Sequence, residues 1–135
     1  MAEELTLEIV TPERLAFRGP VLEVTIPGTE GEFGVLRGHA SLLAAVDIGE
    51  LSFHQDQKRI RFAIHTGYAE VTASKVTILA ESAERSDMID VERAKRAKER
   101  AEEKLNKLSR DAAAFEKARF ALLRAITRIS VGSKG

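Results

Sequence analysis

The chain changes its pattern once, near residue 87, and that change limits the possible folds more than any other feature of the sequence. Up to about Ala83, apolar residues recur with period two in short segments rich in β-branched side chains and broken by glycine, proline and polar turns. This spacing puts the apolar groups on one face of a strand. From Ile89 onward Ala, Glu, Lys, Arg and Leu dominate, with no proline and no glycine before Gly132, which is helix composition. The order predicts an α+β chain, β then α: an N-terminal β-sandwich over residues 1–86, followed by a C-terminal antiparallel two-helix hairpin over residues 87–135.

Six segments carry the strand pattern: Leu5 to Ile9, Val21 to Ile26, Leu51 to Phe53, Ile60 to Ile64, Tyr68 to Val71 and Val76 to Leu79. Phe17, Phe33, Phe53, Phe62 and Tyr68 are the bulky core candidates. In the helical half, Ala94, Ala97, Ala101, Leu105 and Leu108 step by three or four residues and form one narrow stripe. Phe115, Ala118, Leu122, Ala125 and Ile129 repeat it. The polar stretch from Asn106 to Asp111 lies between them and predicts the turn of the hairpin.

Composition removes several function classes. No cysteine is present, so disulfides, thiol catalysis and cysteine-ligated zinc are excluded, and the three histidines at 39, 54 and 65 are scattered. No apolar run approaches the roughly 20 residues that span a bilayer. The acidic start, Met-Ala-Glu-Glu, is unlike a secretory signal. The expectation is a soluble protein that inserts no segment into a membrane and associates with one only through a partner.

The net charge of zero hides a split. Residues 1–87 hold 8 Lys and Arg against 14 Asp and Glu, whereas residues 88–135 hold 13 against 7. Two bodies of opposite sign suit different partners, although a solvated basic helix beside an acidic sheet has the same count. Nucleic acid is disfavoured, because no base-reading motif occurs and Glu92, Glu99, Glu102, Glu103 and Glu116 interrupt the basic patch. The alanine-rich stripes let two helices approach closely but remove little apolar area from water. At about 25 cal/mol per Å2 such a seam is weaker than one made of leucine. A weakly held arm on a stable sandwich is suited to motion.

The run Pro27-Gly-Thr-Glu-Gly-Glu-Phe-Gly-Val-Leu-Arg-Gly-His39 has glycines at 28, 31 and 34 that suggest a phosphate loop. No helix start follows, nor a Lys before Ser or Thr, so backbone geometry is the better explanation. Each of these glycines is expected to permit positive φ at a turn or bulge. The same run, followed by Leu42-Leu43, is similar to the signature of the epsilon subunits of bacterial F-type ATP synthases. Leu-Glu-Ile-Val-Thr-Pro at 7–12, Gly-Tyr-Ala-Glu-Val at 67–71, Val-Thr-Ile-Leu-Ala at 76–80 and Ile-Asp-Val-Glu-Arg-Ala at 89–94 fall in the family's order. Ser41 and Thr66 depart from it, at positions where the family often has proline and glycine.

The resemblance implies a non-catalytic subunit of the central stalk, which couples the catalytic head to the proton- or ion-driven rotor during ATP synthesis. Its sandwich would bind the gamma subunit and rest on the rotor ring of c subunits. Glu30, Glu32 and His39 would lie in the loop that touches the ring. Its hairpin would extend toward the catalytic alpha and beta subunits, meet an acidic segment of beta and inhibit ATP hydrolysis. The implied location is the cytoplasmic face of the inner or plasma membrane, with peripheral attachment through the complex.

The Ile89 to Ala94 run also resembles the motif with which some bacterial epsilon subunits bind ATP as a regulatory ligand. Folding about residues 108–112 sets Arg93 opposite Arg128 and Arg100 opposite Arg124, so four guanidiniums converge on a triphosphate. On the family's pattern Glu84, Ile89 and Asp90 lie on the adenine side, and Arg93, Ala94, Arg100, Arg124 and Arg128 on the phosphate side. The alternative is that Asp90 caps the first helix and Arg93 pairs with a carboxylate. A magnesium requirement is not readable from the residues. No catalytic residues, metal cluster or catalytic cofactor emerge, so no turnover is expected. A stalk subunit that neither inhibits nor binds ATP, an unrelated adaptor and a stand-alone nucleotide sensor are the competing functions.

Overall fold

In the computed structural model, which describes residues 3–134, the period-two segments become eight strands. They are β1 Leu5–Val10, β2 Leu15–Val21, β3 Glu23–Gly28, β4 Gly31–Leu36, β5 Leu42–Val46, β6 Gly49–Gln55, β7 Lys58–Val71 and β8 Lys75–Arg85. A short 3-10 turn at Ser86–Met88 precedes helices α1 Val91–Lys107 and α2 Ala113–Ser133. The chain divides into two compact units, the first ending at Arg85 and the second beginning at Ser86.

Two long strands turn the pairing of the first unit into a sandwich. The early part of β7 pairs with β6 and its later part with β5, while β8 follows β7 and also pairs in parallel with β1. β2 completes the β1 edge, and β3 joins β4 to β6. Strict alternation fills the space between the layers: Leu5, Leu7 and Ile9 of β1 and Val76, Ile78 and Ala80 of β8 all point inward and are buried. Phe53 stacks near Phe62 at 6.1 Å between ring centroids and meets Phe17 of β2 at 4.5 Å, which ties β2, β6 and β7 into one core.

Several expectations are corrected here. The segment Val21 to Ile26 is two strands, interrupted at Leu22, whose amide donates to the carbonyl of His54. Ile60 to Ile64 and Tyr68 to Val71 belong to one strand, β7. β4, β5 and all of β2 except Val21 are strands outside the six expected segments. Tyr68 is not a core residue but points outward, because it shares parity with Glu70 while Ala69 and Val71 are buried. Among the glycines of the 27–39 run only Gly31 and Gly38 have positive φ, so Gly28 and Gly34 are not required for the reason expected. Gly67 is the position where a side chain is forbidden: a Cβ there would lie 1.8 Å from the carbonyl oxygen of Leu79.

The second unit is an antiparallel hairpin. Ala94, Ala101, Ala118 and Ala125 are its buried seam, with Leu105, Leu108, Phe115, Leu122 and Ile129 half-buried beside them. α1 ends at Lys107 and α2 starts at Ala113, so the turn falls where the polar stretch predicts it. Gly132 lies inside α2 despite its low helix propensity. A Cβ at that position would meet Val91 at 2.7 Å and Ile89 at 3.1 Å, so its absence lets the end of α2 close on the start of α1.

Candidate functional site

The hairpin holds a groove of about 630 Å3 between its helices, toward the turn. α1 contributes Arg100, Lys104 and Lys107, each three or four residues after the last, and α2 contributes Lys117 and Arg124. This spacing aligns each set along one helical face. The floor is apolar, made by alanines of both helices and Leu108, and no carboxylate lines it. None of the five cations makes an ion pair or a side-chain hydrogen bond with any described residue. Elsewhere on the same helices Lys95 reaches Glu92 at 3.3 Å and Arg119 reaches Glu116 at 3.2 Å. The contrast sets the groove apart from a generally solvated basic surface.

Of the residues the sequence resemblance assigns to ATP, Arg100 and Arg124 meet in this groove. Arg93 and Arg128 do not line it. Arg93 is exposed, while Arg128 is half-buried and already held by an interaction within the chain. Asp90 is the N-cap of α1: its extended backbone places Oδ1 3.0 Å from the Arg93 amide, which donates to it. Ala94 is buried in the seam, and Ile89 lies against the Gly132 end of α2. Glu84 is a half-buried β8 residue paired across from Ala63. Lys104, Lys107 and Lys117 were not among the expected site residues. Their spacing from Arg100 and Arg124 was the signal available.

The expected ring-contact residues do not share a loop. Glu30 and Glu32 are exposed at the tight turn between β3 and β4. His39 follows the far end of β4, where its Nδ1 lies 2.7 Å from the Ala40 carbonyl and Gly38 donates to Ala73. The rise along β4 from Glu32 to Leu36 is about 13 Å. The three residues thus lie in two segments, the β3–β4 turn and the link after β4, rather than in one loop.

A further surface was not foreseen. On the outer face of the sandwich, Ala45, Tyr68, Leu79, Val10 and Leu15 are neighbours across five successive strands. Tyr68 is 58% exposed, Leu79 52% and Leu15 53%. Such a row leaves large apolar side chains in contact with water, which suits a surface that a partner covers. The alternation of Tyr68 with buried Ala69, and of Leu79 with buried Ile78, carried the signal. Among the described residues no group of His, Cys, Asp or Glu is placed to hold a metal ion, and no helix is long and apolar enough to cross a membrane.

Residues 4–86 match the family "ATP synthase, Delta/Epsilon chain, beta-sandwich domain", and residues 87–132 match "ATP synthase, Delta/Epsilon chain, long alpha-helix domain". The chain is 48% identical to the ATP synthase epsilon chain of Geotalea uraniireducens over 134 residues, covering 99% of this chain and 97% of that one. It is 47% identical to the epsilon chain of Syntrophobacter fumaroxidans, covering 99% of both. A chain in the structure of the Euglena gracilis mitochondrial ATP synthase, OSCP/F1/c-ring, superposes with a TM-score of 0.80 at 28% identity, covering 92% of this chain and 78% of that chain. A chain of the Tetrahymena thermophila mitochondrial ATP synthase central stalk and c-ring shares the fold, with a TM-score of 0.62 at 17% identity and coverage of 99% and 96%.

Proposed function

Because the chain belongs to the ATP synthase delta/epsilon family, we propose that its two units divide the work of a central-stalk epsilon subunit, the sandwich docking and the hairpin regulating. The chain is a non-catalytic subunit of the ATP synthase, a membrane-associated complex, and among its described residues no helix is long and apolar enough to cross a membrane. In this reading the apolar row through Tyr68 and Leu79 is covered by the gamma subunit, since an exposed row of that kind favours a permanent neighbour. The acidic β3–β4 turn with Glu30 and Glu32 meets the ring of c subunits. His39, in the link after β4, joins the same contact. The face of the membrane on which the stalk stands is the cytoplasmic one.

The hairpin inhibits ATP hydrolysis when it reaches the alpha and beta subunits, and ATP holds it folded. The observation that carries the nucleotide reading is the meeting of Arg100 and Arg124 in a groove with no carboxylate. Converging like charges repel, and a polyphosphate relieves them through charge-assisted hydrogen bonds. A ligand bound only to the folded hairpin stabilises it by about 2.7 kcal/mol at 100-fold saturation. Arg93 and Arg128 become secondary contacts, and Asp90 acts chiefly by starting α1.

Calorimetric titration of ATP tests this. An Arg100→Ala, Arg124→Ala double variant is expected to lose tenfold or more in affinity, with Arg93→Ala losing less. Equal binding by the wild type and the double variant would sink the nucleotide reading and leave a stalk subunit that does not sense ATP.

A further inference from the structure

We propose that the groove is a phosphate-chain site that extends past the two arginines toward the hairpin turn, with Lys104, Lys107 and Lys117 as additional ligands for phosphate oxygens. The inference rests on the same groove as the nucleotide reading, but not on recognition of adenosine. Nothing in the sequence resemblance assigns these lysines a role.

Arg100 and Lys107 are about 10 Å apart along α1, as are Lys117 and Arg124 along α2. Two cationic rims of similar length therefore face one another across an alanine floor. Alanine keeps the floor low, so that lysine ammonium groups on flexible stems can converge above it. The five charges have no ion-pair or side-chain hydrogen-bond partner among the described residues, although Glu99, Glu102 and Glu103 lie on the same helix. Those carboxylates are exposed and line no part of the groove.

The geometry favours a linear polyanion over a compact one. A single phosphate satisfies two or three of these cations, whereas a chain of three or more phosphates runs along the rims and meets all five. The shared chemistry is a polyphosphate chain, which a nucleoside triphosphate carries as its tail and free inorganic polyphosphate carries alone.

The test titrates ATP, AMP, inorganic phosphate and inorganic tripolyphosphate separately into the full chain. It uses wild type, a Lys104→Gln, Lys117→Gln variant, and the Arg100→Ala, Arg124→Ala variant. All substituted lysines are exposed, and circular dichroism checks that helix content is kept. The expected result is that tripolyphosphate binds wild type at least tenfold more tightly than phosphate or AMP. The lysine variant is expected to lose at least fivefold for both tripolyphosphate and ATP. Tripolyphosphate binding without ATP binding supports the phosphate-chain site while removing the nucleotide reading. ATP binding that is unchanged in the lysine variant overturns the extension and leaves the nucleotide reading standing. Failure of tripolyphosphate to bind wild type also overturns the proposal.

Discussion

Asp90 shows how one side chain can satisfy two descriptions of a motif. In Ile-Asp-Val-Glu-Arg-Ala it holds the acidic position of a run that resembles a nucleotide motif, and in the structure it accepts a hydrogen bond from the Arg93 amide as the N-cap of α1. Capping accounts for Asp90 without a ligand, and it makes a distinct prediction. Asp90→Ala removes the acceptor and is expected to cost the hairpin about 1 kcal/mol, whereas Asp90→Asn keeps it and stays near wild type. Thermal loss of helix signal in far-UV circular dichroism separates the two. If asparagine is as damaging as alanine, charge rather than capping is what the position needs. The residue scale also shows where the sequence was legible and where it was misread. Tyr68 was assigned to the core on size, but its parity with Glu70 places it outside. Gly67 matters because the backbone of Leu79 occupies the space of its side chain, a close approach invisible before the strands are paired.

At the scale of elements, the hairpin was legible almost throughout because its period, its alanine stripes and its polar turn agree with one another. The sandwich was less so. β2 includes Gly19 and Pro20, and β4 contains Gly34, so their composition resembles a turn until a partner strand fixes them. The candidate site followed the same division. Arg100 and Arg124 were foreseen by helical spacing across a hairpin, whereas the lysines required knowing which side of the seam is open. Gly132 gives the hairpin its own prediction. Leucine at this position has better helix propensity but collides with Val91 and Ile89, and the overpacking is expected to cost about 1–3 kcal/mol. Gly132→Leu should therefore lower the hairpin's melting temperature, as followed by circular dichroism. A rise would mean that helix propensity, not the close approach of α2 to α1, limits its stability.

For the whole molecule, the division of charge and the division of structure coincide: an acidic sandwich and a basic hairpin, joined near residue 86. Membership of the ATP synthase delta/epsilon family places both in one stalk subunit, and the account assigns docking to the first and regulation to the second. An exposed apolar row suits a lasting contact, while an alanine seam and an uncompensated cationic groove suit an element whose state depends on what binds it. The most direct test compares ATP hydrolysis by the assembled synthase carrying either the full chain or a chain ending at residue 86. The account predicts that both chains remain with the complex and that the truncated one releases hydrolysis from inhibition. Equal rates with both chains bound would contradict it.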